Sequence, residues 1–586
     1  MTASRFAYDD ETFLLDGEPL RVLSGALHYF RIHPDQWAGR IAMGRLMGLN
    51  TIETYIPWNA HSPTRGVFDT DGGLDLGRFL DLVGEAGMHA IVRPGPYICA
   101  EWDGGGLPAW LSTTPGIGLR SSEPRYLAAV TEYLEAALAV VAPRQIDNGG
   151  PVILLQVENE YGAYGEDADY LRSLTEVYRC NGITVPLTTV DQPRDGMLER
   201  GSLPEVLATG SFGSRVTERL AALRAHQPRG PLMCSEFWCG WFDHWGGFHH
   251  VTDAAESARS LDELLEAGAS VNIYMLHGGT NFGLTNGAND KGLYQPTVTS
   301  YDYDAPLDEA GRPTKKFWRF REVIARHEAV PSLPSDGLVI PDFVVPEPVP
   351  LVGAGLLDEV LPGQWSAFES APTLDDLGLS GGFLRYRASL SGGDDPTLLQ
   401  LAEVRDRAWV YLDGAAVGVL SRSAGERSIV VPRGGGRLEI LVEDEGRVNY
   451  GPRIGEPKGL IGPVTLGGAE IRGWEAAPVP VEALPAIAED SPESTLPLRA
   501  GLIRAHFELD EPGDLAIAAD DIGWGIAWIN GFGLGRFRPR GPQRTLYVPL
   551  PATRAGRNTV VLFTQEAPRS PRLSFRPSLD LGPIDE

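Results

Sequence analysis

Two carboxylate residues stand where apolar stretches of the sequence give way to polar and aromatic ones. Glu160 lies in Gln156–Gly162 (QVENEYG) and Glu236 lies in Ser235–Trp241 (SEFWCGW). An ionised carboxylate at a buried strand end is costly unless it is paired or functional, so a salt-bridged structural residue is the alternative for each. If both face one cleft, their pKa values diverge, and one donates a proton while the other attacks as a nucleophile. Cleavage of a glycosidic bond with retention of configuration requires that division of roles.

Two such carboxylates can meet only in a fold that brings the ends of its strands together at one face. The sequence pattern of residues 1–335 predicts such a fold. Helical periodicity separates the apolar runs, as in Leu76–Ala86, Tyr170–Tyr178 and Ala254–Ala267. Strands that alternate with helices pair in parallel, and a (β/α)8 TIM barrel is the economical closed form. An open doubly wound sheet is the alternative, but no GxGxxG motif follows an early strand. The predicted strands are Leu20–Leu27, Asn50–Ile56, His89–Arg93, Val152–Val157, Val185–Val190, Val206–Thr209, Pro231–Cys234 and Ser270–Leu276.

The character of the sequence changes near Val339. A proline-rich stretch, Pro341–Pro350, precedes short alternating strands and glycine-rich turns, which are typical of β-sandwiches. Arg407–Gly414 (RAWVYLDG) resembles Ile526–Gly531 (IAWING), which predicts two related jelly-roll modules. With a second boundary in Pro478–Pro497, we predict a catalytic barrel in 1–335 and β-sandwich domains in 336–480 and 481–586.

The composition of the 586 residues argues against several classes of protein. The formal net charge of −28 disfavours contact with phosphate backbones, so we expect no nucleic-acid partner. No run of about 18 apolar residues is present, so we expect no membrane span. Acidic residues between Asp9 and Asp16 interrupt any secretory signal. Because the chain has four cysteines and no CxxC pair, we expect reduced thiols, a cytoplasmic location and no structural zinc.

Long ordered motifs run through the whole chain. They are Gly25–Pro34 (GALHYFRIHP), Thr51–Pro63 (TIETYIPWNAHSP), Arg93–Leu111 (RPGPYICAEWDGGGLPAWL), Gln156–Gly162, Ser235–Gly246, Gly278–Gly283 (GGTNFG), Ser300–Leu307 (SYDYDAPL), Arg447–Gly451 (RVNYG) and Gly541–Pro549 (GPQRTLYVP). On these motifs the sequence resembles glycoside hydrolase family 35, the β-galactosidases. The resemblance implies a galactoside oligosaccharide as substrate. We expect no cofactor and no metal, because two carboxylates supply both the proton and the nucleophile.

The resemblance also implies a role for each carboxylate. Glu160, after the fourth strand, corresponds to the acid/base residue, and Glu236, after the seventh, corresponds to the nucleophile. Asn159 is expected to hold the galactose 2-hydroxyl, a contact that strengthens in the transition state. Glu158 is a competing candidate, because alternation along a strand sends Glu158 and Glu160 to the same side. Only the resemblance favours Glu160.

By the same resemblance, further barrel residues bind the galactose. Glu101 can accept two hydrogen bonds from sugar hydroxyls, and Tyr274 is expected to orient Glu236. The segment after the fourth strand offers Cys99 no cysteine partner, so we expect a free thiol there. For the tyrosines, a buried position at the barrel rim is the alternative. The expected set is Tyr55, Cys99, Ala100, Glu101, Tyr274 and Tyr303.

Histidines and cysteines near Glu236 are interpreted as structural. Asp243 and His244 precede His249 and His250, and we expect hydrogen-bonded loop residues there rather than metal ligands. Cys234 and Cys239 flank Glu236 and are expected to be small core residues.

Three aromatic residues are predicted to bind the sugar next to the galactose. Trp238 and Trp241 follow Glu236 closely, and Tyr450 belongs to the first β-domain. Aromatic rings pack on the C–H faces of sugars, so these rings are expected to select the second sugar and its linkage, with β-1,3 preferred. The alternative is that the tryptophans pack the barrel rim and Tyr450 packs a seam between domains.

The leading hypothesis is an exo-acting, retaining β-galactosidase. The second hypothesis is another exo-β-glycosidase, one that releases glucosamine or glucose. It stays open because the spacing of residues in the sequence does not indicate which of them would recognise the axial 4-hydroxyl of galactose. A non-catalytic galactose-binding protein is the third hypothesis, although such a protein would not need both Glu160 and Glu236. The sequence leaves the natural substrate and the oligomeric state open, a homo-oligomer included.

Overall fold

The computed structural model of the chain describes residues 4–335, 337–391, 393 and 395–585. Eight parallel strands close into a barrel in which each strand lies beside its neighbour in sequence. This arrangement confirms the predicted (β/α)8 barrel. The strands are β1 (Leu23–Leu27), β2 (Thr51–Tyr55), β3 (His89–Arg93), β4 (Val152–Gln156), β5 (Leu187–Asp191), β6 (Leu207–Ser211), β7 (Met233–Trp238) and β8 (Ser270–His277).

One helix follows each barrel strand and covers the sheet. In Leu76–Glu85 the residues predicted to form one apolar face are buried, and Asp75 caps the helix by accepting from the Arg78 backbone N–H at 2.8 Å. Small additional helices are Trp58–His61, Ala109–Ser112, Leu357–Val360 and Leu484–Asp490. The main helices are Trp37–Met47, Leu76–Glu85, Pro124–Val141, Ala168–Cys180, Met197–Gly201, Val216–His226, Ala254–Glu266 and Lys315–His327.

By length and composition alone, the helical stretch Pro124–Arg144, which includes the helix Pro124–Val141, is long and apolar enough to cross a membrane. Its position gives a different reason for that composition. Tyr126, Val130, Leu134 and Leu138 are buried in the core of the barrel domain. The helix also packs against its neighbour Ala168–Cys180. Its apolar face therefore serves the packing of the barrel.

The first β-sandwich consists of two antiparallel sheets whose inner faces share a core. The six-stranded sheet contains Ser366–Phe368, Trp474–Pro478, Phe383–Leu390, Gly436–Glu443, Arg407–Leu412 and Ala415–Ser421. The four-stranded sheet contains Ser428–Val431, Thr397–Arg405, Gly459–Leu466 and Ala469–Glu470.

The second β-sandwich draws strands from two parts of the chain. Val352–Leu356, which lies within the range predicted for the first sandwich, pairs with Gly501–Leu509 of the second. Val349–Pro350 likewise pairs with Arg572–Leu573. Strand pairing depends on a free sheet edge, which the linear order of the residues does not reveal. The five-stranded sheet contains Val352–Leu356, Gly501–Leu509, Gly556–Thr564, Gly525–Ile529 and Phe532–Phe537. The three-stranded sheet contains Thr545–Val548, Leu515–Ala518 and Phe575–Arg576.

The internal repeat seen in the sequence corresponds to two equivalent hairpins. In each, a two-residue turn joins adjacent strands, with Leu412 opposite Ala415 in one and Ile529 opposite Phe532 in the other. Both central residues of each turn have positive φ, at 49° and 77° for Asp413 and Gly414. Asp-Gly and Asn-Gly suit this turn because they adopt positive φ at low cost.

A small sheet crosses from the barrel to the first β-sandwich. Ala288–Asp290 and Tyr294–Pro296 form a hairpin that follows β8, and Val448–Tyr450 of the sandwich pairs with its first strand. Asn289 is thereby paired with Tyr450. Backbone pairing thus fixes Tyr450 at the carboxyl-terminal end of the barrel. A separate sheet at the N-terminus contains Phe6–Tyr8, Phe13–Leu15 and Glu18–Leu20.

Candidate active site

A pocket of about 200 Å³ opens at the carboxyl-terminal ends of the barrel strands, where catalytic residues of such barrels lie. All twelve residues predicted for the site line this pocket. Its lining is Tyr55, Cys99, Ala100, Glu101, Asn159, Glu160, Gln192, Arg194, Glu236, Trp238, Trp241, Phe242, Tyr274, Asn289, Lys291, Tyr303 and Tyr450.

Glu236 lies within β7 rather than after it, because that strand continues to Trp238. Its Oε1 accepts a hydrogen bond from the Tyr55 hydroxyl at 2.8 Å and another from the Arg93 guanidinium. Its Oε2 accepts from the Trp238 indole N–H at 3.2 Å. All these groups are donors, and one carries a positive charge, so both oxygens of Glu236 are held by hydrogen bonds, one of them charge-assisted.

Glu160 has a different environment. It follows β4 in a left-handed conformation, with φ and ψ both 44°, and its side chain is partly exposed to the pocket. Its Oε1 accepts from the Ser211 hydroxyl at 2.8 Å and from the Gln192 amide at 3.2 Å. Burial, and then the charge of Glu236, raise the pKa of Glu160 to about 7. A carboxyl group with a pKa of about 7 is about half protonated at neutral pH, so it can both give and take a proton.

Glu158 turns away from the pocket and is fully engaged elsewhere. It accepts from Arg120 through both oxygens, at 3.0 and 2.7 Å, and from the Tyr170 hydroxyl at 2.9 Å. Its φ of 59° breaks the strand alternation that would have placed it beside Glu160. The geometry therefore distinguishes the two glutamates, which periodicity alone left equivalent.

The loop after β3 supplies Cys99, Ala100 and Glu101, whose φ values of 56°, 53° and 47° all lie in the left-handed region. Such strain in consecutive non-glycine residues is typical of functional sites. Glu101 accepts from the Tyr301 hydroxyl at 2.5 Å, and burial raises its pKa to about 7. Cys99 is a buried free thiol.

Asn159 is fixed by its amide oxygen. That oxygen accepts from the Arg93 guanidinium, and from the Gln156 amide and the Tyr55 hydroxyl at 3.3 Å each. Arg93 also lies 3.5 Å from Glu53, a buried carboxylate beneath the pocket. Within the described part of the chain the Asn159 amide nitrogen has no protein partner, which makes it available to donate to a sugar hydroxyl.

The prediction that Tyr274 orients Glu236 is wrong. The Tyr274 hydroxyl lies 3.3 Å from that of Tyr301, and Tyr55 takes the place predicted for it against Glu236. Tyr274 nevertheless lines the pocket and packs edge-on to Tyr303, with the ring centroids 5.3 Å apart. Sequence position could not distinguish Tyr55 from Tyr274, because each lies within an apolar run of the barrel.

The three aromatic residues predicted to contact a second sugar surround the pocket mouth. Trp238 and Trp241 pack edge to face with centroids 5.9 Å apart, and 39% of Trp241 is exposed. Tyr450 is half-buried and reaches the same pocket from the first β-sandwich. Trp241 also stacks on Phe242 at 4.9 Å, which holds its ring in place.

Several residues at the site were not singled out from the sequence. Arg93 ends β3, Gln192 follows β5 and Ser211 ends β6, so strand-end polarity could have indicated them. Asn449 had no such signal, because it belongs to another domain. Its amide donates to the Cys99 thiol at 3.5 Å, and the Tyr97 hydroxyl donates to its carbonyl at 2.6 Å.

The histidine-rich loop is held by hydrogen bonds. Asp243 lies 2.8 Å from the His249 ring nitrogen and accepts from the His250 backbone N–H at 2.9 Å. No group of three or more His, Cys, Asp or Glu side chains suited to a metal ion occurs among the residues described. Cys234 and Cys239, on either side of Glu236, are buried.

Comparison with known proteins identifies the family. Residues 12–327 match glycosyl hydrolases family 35, residues 372–480 match the first all-beta domain of beta-galactosidase, and residues 501–558 match its galactose-binding domain. A beta-galactosidase of Felis catus is 41% identical over 603 residues, covering 96% of this chain and 88% of the relative. One of Xanthomonas manihotis is 39% identical over 556 residues, covering 93% and 91%. A beta-galactosidase-1-like protein of Mus musculus is 38% identical over 606 residues, covering 98% and 92%.

The chain belongs to glycosyl hydrolase family 35. The prediction of a glycoside hydrolase of this family is therefore confirmed.

Proposed function

We propose that this hydrolase is an exo-acting, retaining β-galactosidase in which Glu236 is the nucleophile and Glu160 the acid/base residue. One observation carries the assignment of roles: two carboxylates line one pocket in opposite environments. Glu236 faces a guanidinium and neutral donors, whereas burial and the nearby charge of Glu236 raise the pKa of Glu160 to about 7. The named activities of the relatives support galactose as the sugar removed.

The reaction proceeds by two displacements. The Glu236 carboxylate attacks the anomeric carbon while Glu160 gives its proton to the glycosidic oxygen, so the aglycone leaves as an alcohol. A covalent galactosyl ester on Glu236 remains. Glu160, now ionised, takes a proton from water, whose oxygen attacks the same carbon and releases Glu236. The product keeps the β configuration, and both carboxyl groups return to their first state.

The other lining residues bind the galactose. The Asn159 amide nitrogen donates to the 2-hydroxyl, and its oxygen is held by Arg93. Glu101 accepts from sugar hydroxyls with its orientation fixed by Tyr301. A pocket of about 200 Å³ suits one sugar ring rather than a chain, which supports release of a terminal residue.

Labelling tests the assignment of the nucleophile. A 2-deoxy-2-fluoro β-galactoside slows the second displacement, and peptide mass spectrometry is expected to find the label on Glu236. Proton NMR should detect the β anomer as the first product. A label on any other residue, or an α product formed first, contradicts the mechanism. Azide should restore turnover of an activated galactoside by Glu160→Ala, because such a leaving group needs little acid assistance.

The aromatic mouth is proposed to select the second sugar. Trp238 and Trp241 lie on the barrel side of the pocket mouth, and Tyr450 reaches it from the first β-sandwich. A sugar between them buries its C–H faces against the rings, and its angle depends on the linkage. We favour β-1,3 over β-1,4 linked galactosides. Initial rates on a matched set of β-1,3, β-1,4 and β-1,6 disaccharides test this order.

The location of the protein follows as a further proposal. Cys99 and the two cysteines that flank Glu236 are free thiols in the structure, as is Cys180. A reducing cytoplasm keeps such thiols intact. Fractionation of producing cells, followed by assay of each fraction for galactosidase activity, tests a cytoplasmic location.

A further inference from the structure

A second cavity continues from the mouth of the galactose pocket onto the first β-sandwich. It has a volume of about 790 Å³ and shares Lys291 and Tyr450 with the galactose pocket. Its walls are residues 290–294 of the hairpin after β8 and, from the first β-sandwich, Glu403, residues 422–425, Arg427 and residues 450–453. We call this cavity the hairpin groove. An aglycone that leaves the galactose pocket past Tyr450 enters it directly.

The hairpin groove is locally basic on a strongly acidic protein. Four basic and two acidic side chains line it, whereas the whole chain carries a formal net charge of −28. The acidic pair is already neutralised. Asp290 lies 2.9 Å from Arg422, and Glu403 lies 2.8 Å from Arg405.

Two of the basic residues have no acidic partner. Among the residues described, no carboxylate lies within 4.0 Å of Lys291 or of Arg427, and both side chains are exposed. Lys291 is held over the ring of Tyr450, with its Nζ 5.3 Å from the centroid. One free cation therefore stands at the entrance of the groove, and the other stands along its wall.

The groove has a firm floor. The Tyr294 hydroxyl donates to Asp406 at 2.8 Å and lies 3.4 Å from Lys458, a buried lysine. Arg422 closes the same network by pairing with Asp406 at 3.0 Å. A preorganised surface of this kind binds a ligand without the cost of ordering its own side chains.

A neighbouring cavity of about 400 Å³ on the barrel side also meets the pocket mouth, but each of its three arginines lies within 4.0 Å of a carboxylate. There Arg194 lies 3.8 Å from Asp195, and Glu218 lies 3.9 Å from Arg215 and 3.7 Å from Arg219. It therefore offers no unpaired cation to a ligand. This contrast favours the hairpin groove as the path of a charged aglycone.

We infer that the hairpin groove binds the inner sugars of an acidic galactose-terminated oligosaccharide, with Lys291 and Arg427 as the residues that select its negative charge. The inference rests on the proposed galactosidase activity and extends it to substrates longer than a disaccharide. The charge recognised is a carboxylate or a sulfate ester on a sugar beyond the first aglycone residue. Lys291 and Arg427 are specificity residues and take no part in bond cleavage.

The test uses trisaccharides with the same terminal β-galactose and three forms of the third sugar: neutral, carboxylated and sulfated. The measured quantity is the ratio of kcat/KM for each acidic form to kcat/KM for the neutral form. We expect a ratio well above one in dilute buffer that approaches one at high salt, because exposed charges are screened. The larger of the two acidic ratios identifies the group recognised.

Variants connect the ratio to the groove. Lys291→Gln and Arg427→Gln should each lower it by about two- to fivefold, the range for an exposed ion pair. Arg215→Gln, in the barrel-side cavity, is the matched control and should leave the ratio unchanged, because Arg215 already has an acidic partner in Glu218. A wild-type ratio of one or less, or a ratio that only Arg215→Gln lowers, overturns the inference. Absence of turnover of p-nitrophenyl β-galactoside by the wild-type protein would instead indicate that the proposed activity itself is wrong.

Discussion

The pH dependence of the reaction should be set by Glu160, and the hydrogen bond from Ser211 offers a way to move it. The Ser211 hydroxyl lies 2.8 Å from Glu160 Oε1 and stabilises the ionised carboxylate. Ser211→Ala removes that donor and should raise the pKa of Glu160 above its value of about 7. Because Glu160 must carry a proton in the first displacement, kcat/KM falls as pH rises through that pKa. The variant should therefore shift this alkaline decline to higher pH.

The size of the shift follows from the strength of the contact. A hydrogen bond to a charged acceptor contributes about 1.5–3 kcal/mol, and the protonated carboxyl retains part of it. A remaining difference of about 1 kcal/mol moves the pKa by about 0.7. Relative to its plateau below neutral pH, the variant should then be about fourfold more active than the wild type at pH ~8. A carboxyl group with an ordinary pKa of 4.5 would be almost fully ionised there.

The assay is the pH profile of kcat/KM on a β-galactosyl disaccharide, whose leaving group needs protonation. Ser214→Ala is the matched control, since Ser214 lies three residues beyond Ser211, in the loop after β6, and makes no hydrogen bond to Glu160 among the residues described. Glu160→Gln should abolish the alkaline decline together with most of the activity. If Ser211→Ala leaves the decline in place, or moves it to lower pH, Glu160 is not the acid that titrates.

Three further predictions concern the surroundings of the reaction. Mass spectrometry of the native protein should recover Cys99 as a thiol, and a disulfide there would contradict the prediction. Alkylation of Cys99 should be slow, because burial raises the pKa of its thiol, and galactose should slow it further. Trp241→Ala and Tyr450→Ala should each lower kcat/KM about fivefold more for a disaccharide than for p-nitrophenyl galactoside, because each removes about 1 kcal/mol of ring–sugar contact. Equal losses on both substrates would indicate that these rings only pack the structure. Glu158→Gln should lower the melting temperature, because breaking the buried ion pair with Arg120 costs about 3–5 kcal/mol. The folded variant should still lose kcat/KM at alkaline pH as the wild type does, and the fluorinated galactoside should still label Glu236.

The barrel could be predicted from the sequence because each of its strands is a short apolar run between amphipathic helices. A parallel strand is buried on both faces, so its sequence is a continuous apolar run that is easy to recognise. The strands of the β-sandwiches have a weaker sequence pattern. The repeat was visible through its Asp-Gly and Asn-Gly turns, but nothing in Val352–Leu356 shows that it pairs with Gly501–Leu509. Local patterns determine turns and faces, whereas partners in an antiparallel sheet depend on the tertiary fold.

The active site shows the same division at finer scale. Strand ends and motifs pointed to Glu160, Glu236 and the other residues that line the pocket, because a barrel brings all its strand ends together. Orientation at each end required the structure. Left-handed residues at Glu158 and Glu160 replace strand alternation, so one glutamate meets Arg120 and the other meets the pocket.

Contacts that cross domains were indicated only by the motif Arg447–Gly451 and its family resemblance, and no periodicity or strand end in the sequence showed which residues meet. Asn449 supports the Cys99 thiol, and Tyr450 reaches the pocket mouth, only because Val448–Tyr450 pairs with the hairpin after β8. Under the proposed function, galactose is therefore expected to bind within the barrel, whereas the path of the aglycone is formed jointly with the first β-sandwich. A change in that sandwich can therefore alter which galactosides are cleaved without touching Glu160 or Glu236.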